Sequence, residues 1–183
     1  DAKVKQSALQ AATRAAVEKS FNRITVDGDQ STNDTFVVFA NGAAGCAELD
    51  EAHPEWSKFV EALTEVATSL AKQIVMDGEG ATKFVAITVE KAVSNADALL
   101  ACREIANSPL FKTACFGGDP NWGRVISAVG NSGCEVEELK TEIYFDDVCV
   151  FNKGKLASEE DNERLAKVMA QRAFSVTVKL NLG

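Results

Sequence analysis

Between Phe174 and Leu182 every second residue is apolar: Phe174, Val176, Val178, Leu180 and Leu182 alternate with Ser175, Thr177, Lys179 and Asn181. Successive side chains of a β-strand point to opposite faces, so this spacing predicts a strand with one buried face. A strand of that kind requires neighbours for its backbone groups and a layer to cover its apolar side. The sequence ends while the strand is still in progress.

A second strong periodicity lies upstream. Pro54 suits the first turn of a helix, and Trp56, Phe59, Leu63, Val66, Leu70 and Ile74 then hold one helical face for about six turns of 3.6 residues. A first helix is predicted over Ala2 to Ser20, where Val4, Ala8, Ala12 and Ala15 form a small-residue face able to sit close against a sheet. Short strands are expected at Arg23 to Val26 and Thr35 to Ala40, separated by a polar loop. Others follow at Lys83 to Glu90, Glu142 to Phe145, Val148 to Phe151 and Lys155 to Ala157. Helices are expected from Asn95 to Asn107, into Val125 to Val129 after a cap at Asp119 and Pro120, and through Leu165 and Met169 after a capping box of Ser158 and Asp161. An apolar piece spans Leu110 to Cys115. Strands and helices mix without a regular repeat, so the fold class is mixed α/β with two packed lobes. The change from long helix to strand places the boundary near Gly80.

Composition narrows the function. A net charge of -8 and the absence of a basic run oppose binding to a nucleic-acid backbone. The most continuous apolar stretch, Val66 to Met76, is interrupted by Lys72 and Gln73 and is too short for a bilayer of about 30 Å. The first residues are polar and helix-like, without the regions of a secretory signal. Five cysteines with no C-x-x-C pair argue against both a zinc site and a full disulfide framework, and a reducing compartment fits them best. His53, the only histidine, precedes Pro54 at a helix start and reads as a capping or surface residue.

Three segments invite a chemical reading. Asp77-Gly78-Glu79-Gly80-Ala81-Thr82-Lys83 sets a carboxylate between two glycines at a helix exit, where a ligand can approach closely. Read locally, Glu79 is either a solvated turn residue or a contact for a substrate ammonium. The loop Asp27 to Thr35 concentrates oxygen donors, but the frame Asp29 to Ala40 has neither the glycine nor the terminal glutamate of a calcium loop at its set position, so the side chains are expected to bond nearby backbone. Gly117 to Arg124 lacks the spacing of a phosphate or dinucleotide cradle. There Trp122 reads as a core anchor, Arg124 as a buried or bridging cation and Asp119 as a cap.

Taken together, Phe21 to Thr35 (FNRITVDGDQSTNDT), Asp77 to Lys83 (DGEGATK), Ser108 to Ala114 (SPLFKTA) and Asp119 to Val125 (DPNWGRV) resemble the ornithine acetyltransferase family, also called glutamate N-acetyltransferases. Order and connecting lengths are similar, and the resemblance covers essentially the whole chain. It implies a self-cleaving, N-terminal-nucleophile type of fold whose precursor becomes two chains, this one being the second. The threonine freed by cleavage would lie just before Asp1, so no catalytic nucleophile is expected within these residues. It would take an acetyl group from N-acetylornithine and pass it to glutamate, and some members also accept acetyl-CoA. No metal or bound cofactor is implied.

The resemblance further implies that the first chain supplies the oxyanion donors and a substrate-binding lysine, and that a C-terminal tail supplies an asparagine. Glu79 is the one recognised substrate contact that maps here. Residues 1–80, with 173–183 returning, would form part of the catalytic lobe, and 81–172 a C-terminal α/β lobe. Two copies of each chain, in the cytoplasm or in an organelle of a eukaryote, are the corresponding expectations for assembly and location. An aminopeptidase or amidase on a related scaffold, and a fragment that only binds, are the alternatives.

Overall fold

The computed structural model describes residues 1–156 and 161–183, and they form two compact units, Asp1–Glu79 and Gly80–Gly183. In the first unit, α1 (Gln6–Lys19) packs against α2 (Trp56–Met76). The residues they bury are Ala8, Ala12 and Ala16 on α1 and Ala67 and Ala71 on α2. Four-residue spacing of alanines puts a smooth stripe along each helix, and that stripe lets two backbones approach closely. This differs from the expectation in three ways. Ala16 replaces Ala15 on the buried face, Val4 lies ahead of the helix in a parallel bridge to Leu49, and the partner is a helix rather than a sheet.

Of the apolar face of α2, Trp56, Phe59 and Leu63 are half-buried, while Val66 is 58% exposed, Leu70 46% and Ile74 51%. The helix itself is present over the expected span. The anticipated strands Arg23 to Val26 and Thr35 to Ala40 are absent. A short 3-10 turn covers Phe21–Arg23, and the chain from Ile24 to Glu48 has no regular secondary structure, with Phe39 86% exposed. Strand propensity has no expression without a neighbouring strand to bond, and the described residues of this unit offer none. The polar loop behaves as expected. Asp27 Oδ1 accepts from Asp29 N at 2.8 Å, Thr25 Oγ1 from Gly28 N at 3.1 Å, and Ser31 Oγ donates to Asn33 Oδ1 at 2.7 Å.

The second unit is built on a sheet of β1 (Phe84–Glu90), β2 (Glu142–Phe145), β3 (Val148–Asn152), β4 (Lys155–Leu156) and β5 (Ala173–Lys179), in the order β1-β5-β2-β3-β4. β5 pairs in parallel with β1 and antiparallel with β2. Residues 173–183 therefore belong to this unit and do not return to the first, because the alternating strand is zipped between two neighbours of its own sheet. Phe174, Val176, Val178, Ile143, Phe145, Val148 and Val150 share one core with residues of α3 (Asn95–Asn107), α4 (Pro109–Gly117), α5 (Trp122–Asn131) and α6 (Asn162–Ala170). Each fully buried Val or Phe contributes about 1.5–3 kcal/mol.

Helix starts are marked by side-chain caps. Ser94 Oγ accepts from Asp97 N in α3, and Ser108 Oγ from Phe111 N in α4, with Pro109 in the first turn. At α5 the cap is Asn121, whose Oδ1 accepts from Arg124 N at 3.0 Å, rather than the expected Asp119, which instead accepts from Asn121 Nδ2 at 2.9 Å. The proposed capping partner Ser158 and strand end Ala157 lie outside the described residues.

Two outcomes follow from this packing. Phe145→Ala empties a fully buried site and should lower unfolding stability by about 3–5 kcal/mol, measured by urea denaturation. Cys115 is buried, and loss of solvation pushes its thiol up from 9.0 to about 11. The unfolded thiol thus ionises first, so stability falls as pH rises from about 9 to about 11, by on the order of 2 kcal/mol, and Cys115→Ala should flatten that fall.

Candidate functional site

The segment singled out by its two glycines leaves α2 in a tight exit. Asp77 N donates to Gln73 O at 2.9 Å and Gly78 N to Val75 O at 3.3 Å, which satisfies carbonyls that the ending helix would leave bare. Gly80 then takes φ +68, a left-handed conformation that favours glycine. A Cβ built there meets nothing within 4 Å, so the requirement is conformational and the surroundings are open. Glu79 is exposed, and its carboxylate forms no hydrogen bond or ion pair with any described residue. A carboxylate presented this way can accept hydrogen bonds from an ammonium group.

The strand following this turn is firmly held. Lys83 Nζ donates to Met169 O and to Gln171 O, each at 2.7 Å, and Phe84 N donates to Arg172 O at 2.8 Å. Local reading of the sequence passed over Lys83. The one available signal was its position four residues after Glu79 in a glycine-rich turn.

The other singled-out residues have structural places. Arg124 Nη1 donates to Leu110 O at 2.6 Å and to Thr113 Oγ1 at 2.9 Å, so it is a bridge between α5 and the first turns of α4. Trp122 stacks on Phe151 with ring centroids 4.9 Å apart and packs against the core. His53 Nδ1 accepts from Glu55 N at 3.1 Å ahead of α2, a local turn bond.

The sequence reading also did not gather the polar cluster on the solvated face of the sheet. Tyr144 donates from its hydroxyl to Glu142 Oε2 at 2.7 Å, and Lys179 Nζ lies 4.9 Å from the Tyr144 ring centroid. The Tyr144 bond, more than the Lys153 and Lys179 charges, holds the Glu142 carboxyl below the usual carboxylate range. The same bond, reinforced by burial, raises Tyr144. Burial also raises the neighbouring Cys149 thiol. Both groups are thereby kept protonated at neutral pH, the state least suited to nucleophilic attack. Among the described residues, no helix is long and apolar enough to cross a membrane.

Comparison with known proteins gives one consistent result. A family model described as the ArgJ family matches residues 1–183. The chain is 50% identical over 183 residues to the arginine biosynthesis bifunctional protein ArgJ of Geobacter sulfurreducens, covering all of this chain and 47% of that protein. It is 43% identical over 186 residues to a protein of the same name, designated mitochondrial, from Yarrowia lipolytica, again covering all of this chain and 43% of the relative. The chain thus spans about half the length of the curated relatives it matches. Among solved structures, the arginine biosynthesis bifunctional protein ArgJ of Bacillus halodurans superposes with a TM-score of 0.94 at 39% identity, over all of this chain and 86% of that one. The mixed α/β architecture is therefore that of a solved relative, and the chain belongs to the ArgJ family.

Proposed function

We propose that this chain is the second subunit of an acetyltransferase that moves an acetyl group from N-acetylornithine to glutamate. The observation that carries this reading is the match of all 183 residues to the ArgJ family, whose relatives are named arginine biosynthesis bifunctional proteins. A threonine hydroxyl outside these residues attacks the acetyl carbonyl, and ornithine leaves with a proton on its amine. The amine of glutamate then attacks the acetyl ester and frees the hydroxyl. Acetyl transfer by two such substitutions draws on no metal or bound cofactor. The word bifunctional in the relatives' names supports a second acetyl donor, for which acetyl-CoA is the candidate.

Glu79 is the contact this chain provides. Its unpartnered carboxylate, displayed by the Gly78-Glu79-Gly80 turn, suits pairing with an amino group of the bound amino acid. A companion chain drawn from the other half of the same precursor is the partner, with two copies of each chain in the assembly. The bare Val66, Leu70 and Ile74 face of α2 supports that partner, because a stripe of this kind is covered in a finished protein. The setting is the bacterial cytoplasm, or an organelle in a eukaryote, in keeping with the mitochondrial designation of the yeast relative.

In the complete two-chain protein, Glu79→Gln should lower kcat/KM by about 10- to 100-fold, the worth of a charge-assisted hydrogen bond. Steady-state kinetics checks this with N-acetylornithine and glutamate, and unchanged constants for both would remove the assignment. Product analysis tests the reaction itself: N-acetylglutamate is expected, whereas free acetate alone would indicate a hydrolase. For the partner, Leu70→Glu should weaken retention of the companion chain at least tenfold on size exclusion, while far-UV circular dichroism of the isolated chain stays unchanged.

A further inference from the structure

We propose that residues 35–40 are an unpaired strand, and that the companion chain supplies the strand that bonds beside it. The proposal rests on the reading of this chain as one subunit of a two-chain protein. Phe36-Val37-Val38-Phe39-Ala40 is an unbroken apolar run. Runs of this kind suit strands covered on both faces, whereas a strand with one solvated face alternates, as β5 does. From Asp34 to Ala40 the chain makes no helix, turn or bend, so it keeps an extended course. Its burial follows the period of two that such a course dictates. Phe36, Val38 and Ala40 are half-buried, while Val37 and Phe39 are 56% and 86% exposed.

The segment has the traits of a sheet strand but no neighbour. No backbone N–H or C=O from Phe36 to Ala40 has a hydrogen-bond partner among the described residues. A row of free backbone donors and acceptors between large apolar side chains is a template for another extended chain. A helix has closed its own backbone bonds and cannot satisfy that row. The segment is also held at both ends within its own unit. The Phe36 ring packs on Phe21 with centroids 4.9 Å apart, and beyond Ala40 the backbone is tied by Gly42 N to Ala2 O at 3.0 Å and Ala44 N to Asp1 O at 2.9 Å. Restraint at both ends lowers the ordering cost of pairing.

Symmetry and length select the companion chain over a second copy. Two copies paired antiparallel through this segment would be related by an axis perpendicular to the ribbon, which keeps each face on its own side. Val37 and Phe39 of both copies would then share one face, still uncovered, on a two-stranded ribbon that is marginal by itself. The chain spans 47% and 43% of its Geobacter and Yarrowia relatives, so more than half of each lies outside the matched region. That length is enough for neighbouring strands and for a layer over Val37 and Phe39.

Hydrogen exchange on the complete two-chain protein tests the pairing. Amides of residues 36–40 should exchange at least 100-fold more slowly than those of an unstructured peptide of the same sequence, and protection below tenfold would overturn the proposal. Proline substitution separates backbone pairing from simple cover. Val37→Pro and Val38→Pro each remove one N–H, and adjacent N–H groups of a strand point to opposite edges. At one position or both, the proline variant should retain the companion chain at least tenfold more weakly on size exclusion than the alanine variant of that position. Equal retention for proline and alanine at both positions would overturn strand pairing. If the proline variants fail to fold, the wild-type exchange decides alone.

Native mass spectrometry identifies the occupant. Protection of residues 36–40 in an assembly made only of copies of this chain would overturn the assignment to the companion chain. Absence of N-acetylglutamate, with the companion chain bound and the segment protected, would remove the acetyl-transfer reading and leave the strand pairing in place.

Discussion

A strand whose alternate residues are all apolar must be bonded along its edges and covered on one face, and β5 meets both demands within the second unit. Its backbone is shared between β1 on one edge and β2 on the other, while Phe174, Val176 and Val178 enter the core formed with α3, α4, α5 and α6. Much of that unit follows from this placement. The parallel pairing with β1 requires a crossover, and the crossover contains the helices that cover the sheet. The antiparallel pairing of β2 with β3 allows the tight Asp146-Asp147 turn between them, where Asp146 adopts φ +48 and accepts at Oδ1 from the Ser175 backbone N–H. The turn is thus bonded back onto the central strand.

The first unit obeys a different constraint. Its internal contact is an alanine stripe on each of two helices, which permits close approach but contributes little apolar area per residue. Its larger apolar residues, Val66, Leu70 and Ile74 with Val37 and Phe39, face outward. The unit thus buries its small residues fully, half-buries Trp56, Phe59 and Leu63, and leaves several of its larger apolar side chains exposed. The same condition explains the irregular chain between the two helices, since a potential strand with no edge to bond stays irregular.

This contrast sets how much was legible in the sequence. Periodicity revealed β5 and α2 because an apolar repeat reports which residues share a face, and the other strands and helices of the second unit were read from run length and capping signals except α4, which was legible only as the apolar piece Leu110 to Cys115. Periodicity does not report what covers a face. Hence the stripe from Trp56 to Ile74 was legible as one helix face, but not which part of it is covered, while residues 173–183 were recognised as a strand but assigned to the first lobe. Caps were legible only to the residue type: Asp119 and Asn121 are equally suited, and the backbone angle that favours Asn121 cannot be read from composition. Glu79 was visible through its flanking glycines, whereas the bonds of Lys83 go to carbonyls 86 and 88 residues away and have no local trace.

The same distinction bears on chemistry. A residue that takes part in binding must leave some of its hydrogen-bonding capacity unused, because a carboxylate already satisfied by its own protein gains little from a ligand. Glu142 has acquired Tyr144 and Lys153 as partners, and Asp146 the Ser175 backbone and side chain together with Gln171, so both are committed to holding the sheet. Glu79 has none. The residues just before it are bonded back onto α2, Asp77 N to Gln73 O and Gly78 N to Val75 O. A carboxylate that directly follows a bonded helix exit has less conformational freedom to lose on binding than one on an unrestrained chain. A free acceptor on a secured backbone is the arrangement that favours recognition of an ammonium group.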